Sequence, residues 1–325
     1  MQKEALRRFE SLPRELSAPM TRCLRASLRA LAMVLVIPAL AAWDPAGHRT
    51  VAEIAWEYMT LRARERAVAL LMHGPAQADF ASLRPAEGTA AERDRVLFVN
   101  AATWADLVRN RREPWHVYSH PTWHYADFYW DVENGRPHEI PGTGPDSVNA
   151  GERVVAFHAL LADSTAADTT RAVALAWLLH LVGDIHQPLH CSSRVTSEDA
   201  LPRGDLGGNT FALDAGHNLH AYWDEILDRA IAPDPGEDSI AYATRMARRI
   251  ERIHPRASLA TPAASTDVVG WEREGLHLAQ TVVYAAVTRG APPSATYQAQ
   301  ALTVAERRIA LAGYRLAALL NDALK

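Results

Sequence analysis

The residues best suited to chemistry lie in one short apolar segment, residues 174–190 (ALAWLLHLVGDIHQPLH). His180 and Asp184 are four apart in a run of helical periodicity, so both side chains should project from one helix face. Pro188 should end this helix, because the residue before a proline resists helical backbone angles, and His190 follows just beyond. Two imidazoles and a carboxylate form a ligand set that suits zinc. A single buried histidine is more often structural, but several polar groups among apolar neighbours favour a metal site.

Four further segments carry histidine or aspartate beside aromatic residues. Taken singly they are weak signals: Asp106 could cap a helix, and His220 with Asp224, one helical turn apart, could be a surface pair. Taken with the central run they supply five histidines and three aspartates, enough for more than one metal ion. These candidate ligands are His48, Asp106, His124, His180, Asp184, His190, His220 and Asp224.

The elements that must position these residues are predicted to be helices, because apolar residues recur at helical spacing and strand-like runs are scarce. The predicted helices are residues 47–72, 90–111, 146–162, 169–187, 218–230, 239–253, 268–288 and 294–323. Residues 112–150 and 191–216 are predicted to be long irregular loops, the first facing substrate and the second with room for a small hairpin. The helices after residue 238 carry no ligand cluster, which indicates a scaffold. The fold class is therefore predicted to be all-α.

The first 42 residues have the pattern of an export signal. Arg22, Arg25 and Arg29 form a basic region, and residues 31–40 are apolar but too short to span a bilayer. Two alanines then offer a cleavage site before Trp43, and Met20 would be a more usual start than Met1. We therefore expect a periplasmic or secreted protein with no stable membrane association after processing; an uncleaved membrane anchor is the alternative.

Composition limits the partners of the predicted mature chain, residues 43–325. The full chain of 325 residues is 48% hydrophobic and 22% charged, which is ordinary for a globular protein with a large core. Residues 1–42 hold seven basic and three acidic residues, so their removal changes the net charge from −4 to −8. Such a chain is not a basic nucleic-acid clamp, and bound cations would have to attract a phosphodiester. Cys191 is its one cysteine, which predicts no internal disulfide.

The motifs and their order resemble those of the plant and fungal class I nucleases, exported three-zinc enzymes specific for single-stranded nucleic acid and distantly related to bacterial zinc phospholipase C. The matching motifs are Trp43 with His48, Trp-Ala-Asp ending at Asp106, His-Tyr-x-Asp at 124–127, His-x-x-x-Asp-x-x-x-Pro-Leu-His at 180–190, Gly-Gly-Asn at 207–209, and Asn-Leu-His-x-x-Trp-Asp at 218–224. The resemblance implies one compact multi-helix domain of the zinc phospholipase C/nuclease type. Long irregular loops would surround a cleft that holds three zinc ions.

The resemblance also implies how the ligands are shared among three zinc sites. The first zinc would take Asp106, His124, His180 and Asp184, and the second would take His190, His220 and Asp224. The third would take the α-amino nitrogen and carbonyl oxygen of Trp43, with His48 and Asp184. Asp184 would thus bridge the first and third ions, as in metal pairs that activate water and stabilise an in-line displacement.

The remaining site residues that the resemblance implies would act on the substrate. Asp106 would orient the attacking water, and Arg109 would contact the phosphate. A nucleobase pocket would consist of Tyr125, Asp127, Leu206 and Asn209. Stacking in such a pocket requires a base that has left the duplex, which explains a single-strand preference. Aromatic packing without a ligand is the alternative for this pocket. The loop from His190 to His220 can differ in length from that of the family, so the resemblance implies Leu206 less directly than it implies the metal ligands.

The implied activity is hydrolysis of single-stranded DNA and RNA to 5′-phosphorylated products, together with 3′-nucleotidase activity on 3′-nucleotides. No protein partner is implied. A zinc phospholipase C is one alternative, but that branch is expected to have Glu where this chain has Asp224. A non-catalytic zinc-binding protein is the other, and it would leave Arg109 and the pocket residues unexplained.

Overall fold

The computed structural model describes residues 45–214 and 216–325, and in this part of the chain helices dominate, as predicted. The α-helices are α1 Pro45–Tyr58, α2 Leu61–Met72, α3 Ala90–Ala101, α4 Trp104–Leu107, α5 Ala150–Ala162, α6 Asp168–Asp184, α7 Leu219–Asp224, α8 Ile226–Ala230, α9 Ser239–Ile253, α10 Ala260–Ala263, α11 Val268–Leu278 and α12 Ala295–Ala323. The strands are β1 Phe128–Glu133, β2 Arg136–Glu139, β3 Ser192–Arg194, β4 Ala212–Asp214 and β5 His217–Asn218.

Two long predicted helices are each divided in the structure. The predicted helix 47–72 is α1 followed by α2, because Thr60 adopts an extended backbone and its hydroxyl caps α2 by accepting from the Ala63 amide at 3.2 Å. The predicted helix 90–111 is α3 followed by the short α4, with the break at Ala102 and Thr103. At Thr60, a helix-capping residue inside a periodic run therefore outweighs the apolar periodicity, whereas Thr103 makes no side-chain cap hydrogen bond.

The predicted loop of residues 112–150 contains an unpredicted hairpin. Strands β1 and β2 pair in antiparallel fashion, from Trp130 opposite Glu139 to Glu133 opposite Arg136. Asn134 and Gly135 form the turn with φ of 51° and 75°, the left-handed conformation that a two-residue hairpin turn requires. The Asn-Gly pair was the available sequence signal for this hairpin.

Helix α6 lies at the centre of the described part of the chain. All of its residues from 174 to 184 are buried, and it packs against α5, α2, α1 and α12. A helix that is apolar on every side is expected in such a position. Helix α12 also packs closely on α1, where a side chain at Gly313 would lie 2.5 Å from Ile54. A buried helix packed on several sides therefore carries His180 and Asp184.

The small sheet joins the two segments that follow His124 and His190. Strand β1 runs parallel to β3, with Phe128 opposite Ser192, and the Ala126 amide donates to the His190 carbonyl at 2.8 Å. Residues 191–216, predicted as a loop with a small hairpin, contribute β3 and β4, and β4 pairs with β5. The sheet thus places His124 beside His190.

The predicted export segment, residues 1–42, and the predicted ligand Trp43 lie outside the described residues. Both assignments stay predictions. No helix among the described residues is at once long enough and apolar enough to cross a bilayer.

Candidate metal centre

The predicted ligands that the structure describes converge on three clusters. In each cluster, one nitrogen or oxygen atom per residue lies within 4.8 Å of the others. The clusters are His48, His180 and Asp184; Asp106, His124 and His180; and His190, His220 and Asp224. All of these side chains are buried except that of Asp106, which is half-buried. Four helices and two intervening segments contribute to them.

Asp184 lies between the first two of these clusters. Its Oδ2 is 2.9 Å from His124 Nδ1 and 3.2 Å from His180 Nε2, whereas its Oδ1 is 3.4 Å from His48 Nε2. Tetrahedral zinc with bonds of about 2.0–2.2 Å places its donor atoms roughly 3.3–3.6 Å apart. The two oxygens of one carboxylate therefore face two different groups at separations close to those of a bridging ligand.

The remaining cluster is built on α7 and on the turn after α6. His220 Nε2 lies 3.4 Å from Asp224 Oδ2, one helical turn away, and His190 Nε2 lies 3.7 Å from Asp224 Oδ1. The buried Gln187 amide donates to Asp224 Oδ1 at 2.8 Å and accepts from the Leu189 amide. Gln187 was not predicted as a site residue, although it lies within the central motif.

Backbone carbonyls fix the orientation of three histidine rings. His180 Nδ1 donates to the Ala102 carbonyl at 2.8 Å, His190 Nδ1 to the His124 carbonyl at 2.8 Å, and His220 Nδ1 to the Gly207 carbonyl at 2.7 Å. Each bond leaves Nε2 as the nitrogen that faces its cluster. Ligand histidines in metal sites are commonly held in this way by an outer hydrogen bond.

Several of the facing atoms have no hydrogen-bond partner among the described residues. These buried atoms are His48 Nε2, Asp184 Oδ1, His190 Nε2, His220 Nε2 and Asp224 Oδ2. Buried polar atoms are nearly always satisfied in native proteins, because an unpaired one costs about 1–3 kcal/mol. The donors are imidazole nitrogens and carboxylate oxygens, so the residues present fit zinc in both chemistry and spacing.

Burial and neighbouring charges shift the pKa values of the candidate ligands in different directions. Burial and the neighbouring histidines act in opposite directions on Asp184, and His180 with His190 hold the pKa of its carboxyl well below the usual range. Burial lowers the pKa of His190, but Asp184 and Asp224 outweigh it and raise that pKa to about 9. For His124 burial dominates and lowers the pKa to about 4. Metal ions would compete with protons at these nitrogens.

Close packing of α1 on α6 brings His48 to the centre. The His48 ring stacks on that of His180, with centroids 3.8 Å apart and planes 17° apart. A side chain at Gly183 would lie 2.7 Å from His48 Nδ1. A glycine at this position therefore allows the ring to reach Asp184.

The predicted substrate residues lie beside the clusters. Arg109 Nε is 3.5 Å from Asp106 Oδ1 in an ion pair. The Tyr125 ring stacks on that of His190, with centroids 5.0 Å apart and planes 21° apart. Asp127 is half-buried, its Oδ1 has no hydrogen-bond partner among the described residues, and burial raises its pKa to about 7. The substrate-binding roles of these residues stay predictions.

The other two predicted pocket residues lie in the loop before α7. Leu206 has a left-handed backbone with φ of 53°, and its carbonyl accepts from Asn209 Nδ2 at 2.8 Å. The same loop holds His220 through the Gly207 carbonyl. The loop therefore reaches the cluster of His190, His220 and Asp224.

His186 lies near the centre but contacts other residues. Its Nδ1 donates to the Val182 carbonyl at 2.7 Å, and its Nε2 accepts from Arg315 Nη1 at 2.8 Å. Arg308 Nε donates to the His186 carbonyl at 2.9 Å, immediately after α6. The two buried arginines come from α12, and no local sequence signal linked them to this turn.

The fold and the three clusters define a mostly helical protein with a candidate metal centre at its core. Its sequence matches the S1/P1 Nuclease family model over residues 43–325, and the chain belongs to that family. This confirms the predicted resemblance and fold class, and it makes the chain a hydrolase of the nuclease type.

Individual nucleases are similar to the chain at modest identity. Endonuclease 4 of Arabidopsis thaliana is 27% identical over 318 residues, which cover 90% of this chain and 93% of that protein. Nuclease P1 of Penicillium citrinum is 24% identical over 303 residues, covering 86% and 97%. Endonuclease 5 of Arabidopsis thaliana is 31% identical over 166 residues, covering 46% of this chain and half of that protein.

Proposed function

We propose that this chain is an exported zinc-dependent nuclease that cleaves single-stranded DNA and RNA to 5′-phosphorylated products and removes phosphate from 3′-nucleotides. The observation that carries the proposal is the convergence of eight histidine and aspartate side chains on three clusters in a member of a nuclease family. The names of the related endonucleases and of Nuclease P1 support the same activity. Because the net charge is −4, or −8 after processing, bound cations would supply the attraction for a polyanion.

Three zinc ions per chain would be held as the motifs imply. Asp106, His124, His180 and Asp184 would hold one, and His190, His220 and Asp224 would hold another. His48 and Asp184 would hold the third together with the α-amino nitrogen and carbonyl oxygen of Trp43. Bound zinc would supply Lewis acidity, which activates water and stabilises the charge of an in-line displacement.

The chain's own residues would orient water and phosphate. The Asp106 carboxylate is a quarter exposed, with Oδ2 3.8 Å from His180 Nε2, so it can accept a hydrogen bond from an attacking water beside the centre. The Arg109 guanidinium lies next to Asp106 with similar exposure, so it can donate to a phosphate oxygen at the same place. Asp106 lies in α4, and Arg109 lies two residues after the end of α4. This spacing keeps the two side chains close together.

The nucleobase would bind beside the cluster of His190, His220 and Asp224. Because one face of the Tyr125 ring packs on His190, its other face is the one on which a base would stack, at about 1–3 kcal/mol per base. Asp127, whose buried oxygen has no partner among the described residues, would hydrogen-bond the base edge with Asn209. Leu206 would cover the base. A paired base cannot reach such a pocket, hence the single-strand preference.

The test uses a chain beginning at Trp43, loaded with zinc, and measures metal content and turnover together. The substrates are single-stranded DNA, duplex DNA, RNA, 3′-AMP and phosphatidylcholine. We expect three zinc ions per chain, cleavage of single-stranded DNA and of RNA, hydrolysis of 3′-AMP, and slow cleavage of duplex DNA. Hydrolysis of phosphatidylcholine alone would instead establish a phospholipase C. Full zinc content without hydrolysis would establish a zinc-binding protein.

A further inference from the structure

The loop of residues 204–209 has an unusual backbone. Gly204, Leu206, Gly207 and Gly208 all have left-handed φ angles, between 53° and 81°. This region favours glycine, and a leucine adopts it only when surrounding contacts hold it there. The conformation of the loop therefore depends on contacts from outside it.

Those contacts centre on Asp205, whose buried side chain binds residues outside the loop. The carboxylate is 1% exposed, and it accepts hydrogen bonds from the Arg194 amide at 2.9 Å, from the Gly208 amide and from the Tyr284 hydroxyl. Burial and the Asp205 charge raise the pKa of Tyr284 well above its usual value, so the hydroxyl remains a donor. The Arg194 guanidinium lies 5.4 Å above the Tyr284 ring. Asp205 thus links the Gly208 end of the left-handed turn to Arg194 and to Tyr284.

The loop contacts two parts of the candidate site. The Gly207 carbonyl orients the His220 ring at 2.7 Å, and a side chain at Gly207 would lie 2.4 Å from the Leu189 carbonyl. The neighbouring residues Leu206 and Asn209 are those assigned to the nucleobase pocket, and they are joined by a 2.8 Å hydrogen bond. A shift of this loop would therefore move a metal ligand and the base pocket together.

We propose that Tyr284 and Asp205 form a positioning pair that couples the nucleobase pocket to the His190–His220–Asp224 cluster. A displacement of the pocket would then displace the His220 ligand as well. This inference rests on the proposed function. When the pair is intact, a base seated against Leu206 and Asn209 holds the loop that orients His220. The enzyme would then discriminate against substrates that lack a base through its metal centre as well as through direct contacts with the base.

The test is Tyr284→Phe, which removes one hydroxyl and keeps the ring. The matched control is Tyr314→Phe, because the buried Tyr314 of α12 also donates its hydroxyl to an oxygen, the His254 carbonyl, at 2.8 Å. The first readout is the kcat/KM ratio for 3′-AMP over ribose 3-phosphate, which has no base. The second is the rate at which a chelator removes each zinc from the loaded protein. Thermal unfolding is measured for every variant.

Loss of one hydrogen bond to a buried carboxylate should change each readout by about tenfold. We expect Tyr284→Phe to lower the base discrimination and to speed the loss of one zinc of the three, whereas Tyr314→Phe lowers only the unfolding temperature. If Tyr284→Phe does not fold, Asp205→Asn provides the same test, because it keeps the size of the side chain but replaces one of the two oxygens that accept from the Arg194 amide and the Tyr284 hydroxyl by a nitrogen that cannot accept. If the wild-type protein binds no zinc or cleaves no substrate, the proposed function is wrong. If the wild type is active but Tyr284→Phe and Tyr314→Phe show the same base discrimination and the same rate of zinc loss, only this inference is wrong.

Discussion

Replacement of Asp184 by asparagine should remove two metal ions with one substitution. The side chain is fully buried, and its two oxygens face different clusters, Oδ2 towards His124 and His180 and Oδ1 towards His48. Asparagine preserves the shape of the side chain, but it replaces one oxygen by an amide nitrogen that cannot accept and carries no negative charge. Whichever way the amide lies, one cluster loses a donor atom and both lose the charge.

The size of the effect follows from the three contacts of 2.9–3.4 Å that the carboxylate makes. An interaction with a charged partner in a protein contributes about 1.5–3 kcal/mol. Loss of the charge should therefore cost roughly 5 kcal/mol in total, which corresponds to about a 10³- to 10⁴-fold loss of metal affinity shared between two sites. Activity should fall at least as steeply, because both ions and their separation would be affected.

The assay is zinc content after gel filtration at a fixed low free-zinc concentration, with turnover measured on the same samples. Asp224→Asn is the matched control, since Asp224 is buried to the same degree but belongs to one cluster. We expect loss of more than one zinc for Asp184→Asn and of about one for Asp224→Asn. Three zincs retained in Asp184→Asn, or equal losses in the two variants, would refute a bridging role.

Three other predictions use different readouts. Asp127→Ala should raise the KM for 3′-nucleotides and single strands while leaving zinc content intact, and unchanged kinetics with full zinc would remove Asp127 from the base pocket. Burial raises the pKa of Glu272 to about 7, above the unfolded value of 4.5, so its carboxyl lowers the free energy of unfolding as pH rises from about 4.5 to 7, and the full loss is present above 7. Urea unfolding of Glu272→Gln in chelator should therefore show a gain of up to about 3 kcal/mol at pH 8.5 and none at pH 4.5, and equal changes at both would contradict this reasoning. A chain that begins at Trp43 should hold more zinc and turn over faster than the 1–325 chain, because an α-amino nitrogen of pKa about 7.7–8.0 can bind zinc and a peptide nitrogen cannot; equal values in both forms would exclude Trp43 as a ligand.

Local spacing made part of the centre predictable. His180 with Asp184, and His220 with Asp224, are each four residues apart, and in the structure each pair lies on one helix and faces one cluster. Such pairs need only the helix itself to bring them together. The helix boundaries were less predictable: Thr60 divides a run whose apolar periodicity continues through it.

Contacts between distant segments could not be derived from spacing. The stacking of His48 on His180 depends on the packing of α1 against α6, and that packing depends on the absence of a side chain at Gly183. Only the resemblance to a known family connected these positions beforehand. The hydrogen bonds that Gln187, Arg308 and Tyr284 donate to residues in or near the centre were not predicted. A buried hydrogen bond between distant residues leaves no periodic pattern in the sequence.

The most informative part of the sequence is the segment in which polar side chains are buried among apolar ones. Residues 174–184 form an apolar helix at the centre of the fold, yet the segment carries a histidine and an aspartate that are completely buried. If folding stability alone governed the choice, apolar residues at 180 and 184 would be favoured, because each unpaired buried polar atom costs about 1–3 kcal/mol. The conflict is resolved when a ligand that binds both groups makes their burial favourable. Asp184 Oδ1, which has no hydrogen-bond partner among the described residues, is the atom at which that missing interaction is most clearly located.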